Sequence, residues 1–207
     1  MKKIVFSNLP MKQDLYNLKY AVDGNSTLKY EGEVKFPVNA VLAKSLKCGD
    51  RVTVVLLSKS DIEGNSAVNA GLFQQELNTI NSEIGAKIEY ITITTPFEET
   101  REVHETLLRD MIAKLENGAE IIGDVTFGPK PLPLIMFSVM RFAEKFFDAK
   151  ISNIVYGKVD FPNGGKAPVN PVLYDLTPLY YLNSVTDSIE CNNSAEAVKA
   201  LDILLSL

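Results

Sequence analysis

Histidine occurs once in this chain, at position 104, and cysteine only twice, at 48 and 191. No Ser-His-Asp or Cys-His arrangement can therefore be built around a second imidazole. His104 shares a helix face with Leu108 and Met111, so it reads as a packed or half-exposed side chain. The two cysteines form no CxxC pair, which argues against a zinc site and a disulfide framework and suits reduced thiols in a cytoplasmic protein. Basic residues are also in deficit, with a formal charge of -5. A duplex-binding surface normally needs a basic face, so only a small anion in a local basic pocket fits this balance. No apolar run reaches the roughly 20 residues that cross a bilayer, and the opening MKKIVFSNLP is too short for a secretory signal. There is no internal repeat, no low-complexity linker, and neither GxGxxG nor GxxxxGK[ST].

What is present is a succession of β-branched apolar runs, each followed by a segment of helical period. The runs are KIVFS, DRVTVVLLS (50–58), KIEYITIT, AEIIGDVT and ISNIVYGKV. The intervening segments are PVNAVLAKSLK with proline in its first turn, NAGLFQQELNTINSEIG with Gly85 as its stop, TPFEETREVHETLLRDMIAKLENG stopping at Gly118, and PLPLIMFSVMRFAEKFF. This pattern predicts an α/β domain with a mostly parallel sheet and helices on both faces. A PNGG turn (162–165) and the following PVLYDL predict an antiparallel hairpin at the C-terminal sheet edge. Residues 16–36, polar and tyrosine-bearing, read as an inserted hairpin or a loop. NSAEAVKALDILLSL reads as a capped amphipathic helix.

In open parallel sheets, ligands collect beyond the carboxyl ends of the strands, where helix N-termini offer amide donors to phosphate. Two turns have suitable chemistry. SNLP follows the first run with Ser7 and Asn8; DVTFGPKP follows the AEII run with Thr126, Gly128 and Lys130. A hydroxyl, an amide, a flexible backbone and one ammonium can hold a phosphodiester without reading a base. From residue types alone an ordinary strand-to-helix turn stands beside that reading. Glu98 and Glu99 suit the positive end of a helix dipole, Asp124 and Asp175 suit turn or cap positions better than metal ligation, and Tyr174, Tyr180 and Tyr181 are expected to bury their rings, with stacking against bases as the minority reading.

Taken in order, DVTFGPKPLPLIMFSVMRF, IVYGKVD, a glycine turn and PVLYDLTPLYYLNSV resemble the CRISPR-associated Rossmann-fold (CARF) sensor domains of type III CRISPR systems. In those domains a strand ends in an Asp-x-Thr-x-Gly loop with a basic residue nearby; here that residue is Lys130, where relatives often carry arginine. The resemblance covers residues 1–185 as a Rossmann-like ligand-binding domain. Residues 186–207 would be a C-terminal helix that begins an effector or contacts a dimer partner. It implies a cyclic oligoadenylate, most simply the tetra-adenylate, bound across a homodimer by Ser7, Asn8, Leu9, Asp124, Thr126, Phe127, Gly128 and Lys130. A sensor of this kind controls an effector, in the same chain or separate, in antiviral defence, with no metal and no cofactor. The alternative is a ring nuclease in which a ribose 2'-hydroxyl attacks the adjacent phosphodiester, aided by Lys130, Ser7 and Thr126. A nicotinamide enzyme is disfavoured by the missing glycine fingerprint.

Overall fold

The computed structural model describes residues 1–60, 63–162 and 167–206. Among these residues seven strands form one sheet: β1 (Lys2–Asn8), β2 (Ala21–Asp23), β3 (Arg51–Lys59), β4 (Lys87–Thr95), β5 (Glu120–Asp124), β6 (Lys150–Asp160) and β7 (Val169–Asp175), in the order β2-β7-β6-β5-β1-β3-β4. All pairs are parallel except β6 with β7. The α/β class and the antiparallel hairpin are as the sequence predicts. Outside β7 lies the three-residue β2, which takes the sheet edge. The expected turn at 162–165 falls, beyond Pro162, outside the described residues.

Among the described residues there are six α-helices, α1 (Pro37–Ser45), α2 (Asn65–Asn81), α3 (Arg101–Ile112), α4 (Leu132–Phe147), α5 (Thr177–Ser188) and α6 (Ser194–Leu205); the first five pack on the sheet, and α6 buries none of its residues. Because side chains alternate along a strand, each central strand feeds two cores. Val5, Val52, Val54, Leu56 and Ile122 pack with Val41, Leu42, Phe73 and Leu77 of α1 and α2. Ile4, Phe6, Val55 and Ile121 pack with Leu107 and Met111 of α3, Met136 and Met140 of α4, and Tyr180 of α5. Strands buried on both faces explain the unbroken apolar runs in the sequence.

Residues 16–36 are neither a free loop nor a simple hairpin. Leu18 pairs with Val34 through two backbone hydrogen bonds of 3.0 Å, enclosing β2 and a short 3-10 turn at Ser26–Leu28. Tyr20, Leu28, Val34 and Phe36 are buried in the first core. This excursion delivers the chain to α1, whose N-terminus lacks a side-chain cap of its own. Glu76 of α2 supplies one instead, accepting from the amides of Lys35 at 2.7 Å and Phe36 at 3.2 Å and from Asn39 Nδ2 at 2.9 Å.

Several boundaries differ from the sequence reading. α2 ends at Asn81 and α3 at Ile112, so Gly85 and Gly118, both at positive φ, belong to the turns that follow. Glu99 precedes the Thr100 cap of α3. It ion-pairs with Lys59 at 2.8 Å and hydrogen-bonds with His104 Nε2 at 2.7 Å instead of sitting in the helix's first turn. His104 is half-buried, as expected. α5 has no counterpart in the sequence reading. Of the three tyrosines expected to be buried, Tyr180 is, whereas Tyr174 is half-buried and Tyr181 exposed. Cys48 and Cys191 are free and exposed. Among the described residues no helix is long and apolar enough to cross a membrane.

Candidate functional site at the sheet switch point

After β1 the chain builds outward through β3 and β4, then α3 carries it back to place β5 on the other side of β1. The order of strands therefore reverses between β1 and β5. In a parallel sheet the helices on either side of such a point lie on opposite faces and leave a crevice beyond the strand ends. Both candidate turns of the sequence leave from these two strands. They open at the same end of the sheet, since β1 and β5 are parallel and Ser7 lies opposite Asp124 in register.

The side chains at this point form a connected polar chain. Ser7 Oγ donates to Asp124 Oδ2 at 2.8 Å. The Thr126 amide donates to Asp124 Oδ1 at 2.9 Å, and Gly157 of β6 donates to Thr126 Oγ1 at 2.8 Å. Asp124 thus holds the turn, as its residue type suggested. It is fully enclosed, and that burial pushes its carboxyl above the usual carboxylate range although hydrogen bonds from Thr126 and Ser7 oppose the shift. With both carboxyl oxygens already engaged by Ser7 and the Thr126 amide, Asp124 acts as a brace.

Asn8 is different. It has no solvent exposure, and neither its amide nitrogen nor its amide oxygen has a hydrogen-bond partner. An unmade pair of this kind is costly, so a buried side chain that carries one needs a reason. Gly128, the exposed tip of the second turn, lies against it. A Cβ at Gly128 would stand 3.2 Å from Asn8 Cβ and 2.9 Å from Leu132 Cδ1, and its φ of +88° is itself one that side chains disfavour. The first turn and the second therefore meet directly.

The prolines of GPKPLP explain where the amide donors are. Pro131 and Pro133 carry no N–H, and the first amides of α4 are consumed locally: Leu132 by Pro129 O at 3.1 Å, Leu134 and Ile135 by Pro131 O at 3.1 and 3.3 Å. The helix N-terminus expected to receive phosphate is thus self-satisfied. Among the described residues the amides of Phe127, Gly128 and Lys130 meet no backbone acceptor, so the loop ahead of the helix offers the donors.

Of the remaining expected ligand residues, Lys130 is exposed and available. Phe127 sets its ring edge-on to Phe36 at 6.4 Å and anchors the loop to the first core. Leu9 is buried, with its amide bonded to Leu57 O at 2.9 Å, so it belongs to the core and not to a contact surface. Two further cations escaped the sequence reading. Lys12 and Lys35 line a hollow with Tyr20, Phe127 and Phe161 on the α1 side of the loop. Lys12 follows the first turn directly, whereas Lys35 is brought near by the 16–36 excursion. Among the described residues no group of three or more His, Cys, Asp or Glu could hold a metal.

No family model matches this chain, and no curated protein matches it. The site itself offers free amides, an unsatisfied carboxamide and ammonium groups, with a braced carboxyl behind them. Chemically that is an anion-holding surface with hydrogen-bonding capacity beyond charge.

Proposed function

We propose that the chain is a cyclic oligoadenylate receptor of type III CRISPR defence, taking the ring at the β1/β5 switch point of two copies related by a two-fold axis. The observation that carries this reading is the meeting of Asn8, buried and unpartnered, with the free-amide tip at Gly128. Together they are a donor and acceptor set waiting for a ligand that is both anionic and polar. A phosphodiester satisfies the amides and Lys130, and a ribose or base edge satisfies the carboxamide. A ring of identical nucleotides has rotational symmetry, so a dyad would present the same half-site to opposite phosphates. The resemblance of the DVTFG and YDLTP segments to CARF domains points to the same ligand. An occupied dimer would then bias an effector, in the same chain or separate.

Titration calorimetry with cyclic tetra- and hexa-adenylate, run beside sedimentation of the free and mixed protein, tests this. The expected result is binding of one ring per two chains, with Lys130→Ala weakening affinity about tenfold. Absence of heat and of thermal stabilisation with both rings would end the proposal. Chromatography of the same mixtures reports whether the ring is opened to a 2',3'-cyclic phosphate product.

A further inference from the structure

Beyond the phosphate-holding turns, the β6–β7 hairpin carries a feature that neither the core nor the polar chain uses. Tyr156 and Tyr174 stand directly opposite each other in the antiparallel register. Their rings are near-parallel, 24° apart in plane, with centroids 6.3 Å apart. Their neighbours Val155 and Leu173 enter the first core, and a Cβ on Gly157 would strike Pro37 of α1. By alternation, Tyr156, Lys158 and Tyr174 project from the opposite face of the sheet, the face of α4 and α5. α5 begins where Leu176 bonds Ile154 O at 2.6 Å, so helix cover is anchored two residues short of Tyr156, which remains 37% exposed. Lys158 lies on the same face with its ammonium 3.0 Å from Asp160. The hydrogen bond and charge of Asp160 favour its charged form.

This patch is tied to the candidate site through the backbone. Gly157, between Tyr156 and Lys158, is the residue that donates to Thr126 Oγ1. Two half-exposed aromatic rings beside an ammonium match a planar π-system attached to a phosphate. We infer that Tyr156 and Tyr174 form a stacking platform for one adenine of the bound ring, with Lys158 facing the adjoining phosphodiester. This rests on the cyclic oligoadenylate reading and adds the residues that would read its bases.

The chain has no tryptophan, so tyrosine emission is its intrinsic signal and a base stacked on the platform quenches it. Titrating the whole protein with cyclic tetra-adenylate should quench tyrosine emission. Tyr156→Ala and Tyr174→Ala should each weaken binding about 10- to 100-fold. Tyr156→Phe, which keeps the ring, should stay within about twofold of the parent. The salt dependence separates stacking from charge: the alanine variants keep the parent slope of log affinity against log salt, whereas Lys130→Ala and Lys158→Ala flatten it by about 0.7 each. Parent binding with unchanged affinity in both alanine variants overturns the platform and leaves the receptor reading standing. Alanine variants that change the sedimentation of ligand-free protein assign the tyrosines to a subunit contact and overturn it too. A parent that binds no ring removes both proposals together.

Discussion

The two ends of the sheet are built on opposite rules. At the amino ends of the strands, charges are paired. The Met1 ammonium meets Asp50 at 2.9 Å, Lys2 meets Glu116 at 3.4 Å, and Arg51 and Lys3 meet Glu116 and Glu120. Asp50 also accepts the Lys47 amide at 3.0 Å. At the carboxyl ends, β1 and β5 leave a buried carboxamide without a partner, loop amides without backbone acceptors and an exposed lysine. Around β1 and β5, the amino end pairs its charges within the fold, whereas the carboxyl end, beside the paired Ser7 and Asp124, leaves part of its polar groups without partners. That difference, more than any single residue, supports the proposed ligand site, and each prediction below sets one end against the other.

Glycines give the largest contrast. At the amino end, Gly118 has a φ of +68° but open space around a hypothetical Cβ. At the carboxyl end, a Cβ on Gly157 would lie 2.3 Å from Pro37 Cγ and 2.7 Å from Pro37 Cβ, a rigid ring in the buried first turn of α1. Gly157→Ala is expected to cost about 3 kcal/mol by overpacking and to loosen the Thr126 bond. Gly118→Ala should cost about 1 kcal/mol through backbone strain alone. Chemical denaturation of both variants checks the ranking; equal costs would show that α1 yields at Pro37.

The two ends also differ in how far the sequence reveals them. The apolar runs of β1, β3 and β5 were legible because burial on both faces demands unbroken Val, Ile and Leu. The two candidate turns were legible as chemistry, from Ser7, Asn8, Thr126, Gly128 and Lys130. Their meeting was expected only through the CARF resemblance and not from the residues themselves, since the register that sets Ser7 beside Asp124 joins residues 117 apart. Nor could residue types show that Pro129 and Pro131 would consume the first amides of α4, shifting the free donors into the loop. The 16–36 excursion hid because its buried residues follow neither period, and its delivery to α1 depends on Glu76 from a later helix. α5 hid behind a tyrosine-rich start, although Thr-Pro after Asp175 is a helix-opening signal: Asp175 Oδ1 accepts the Thr177 amide at 3.0 Å.

The carboxyls at the two ends should answer pH with opposite signs. For Asp50, burial raises the pKa, but the Met1 ammonium and the Lys47 amide outweigh it and hold it below the usual range. Its stabilisation is present above the unfolded pKa of about 3.9 and is lost as pH falls through the lower folded value. Asp124, raised by burial, contributes stability that is complete below the unfolded pKa and is lost as pH rises through the higher folded value. Asp50→Asn should therefore cost about 1 to 2 kcal/mol at neutral pH, with the gap to the parent closing in acid. Asp124→Asn, which can still accept from Thr126 and face Ser7, should gain on the parent as pH rises. Denaturant melts from pH 3 to 8 decide it; a gap of the same sign for both variants would mean that Asp124 is stabilised as a carboxylate.

The smallest effect tests the unpaired carboxamide itself. If the Asn8 amide is unpaired because a ligand completes it, the free protein bears the cost of that readiness. Asn8→Leu replaces the amide with an apolar group of similar size, so the ligand-free variant should be more stable than the parent by about 1 kcal/mol. The same variant should lose the stabilisation that cyclic tetra-adenylate gives the parent. Glu116→Gln at the amino end, where a charge partner is removed, should weaken the fold slightly and leave ligand stabilisation intact. Thermal melts of all three proteins with and without the ring make the comparison. A less stable Asn8→Leu that still responds to the ring would show that Asn8 serves the fold, and that the carboxyl end is as fully committed as the other.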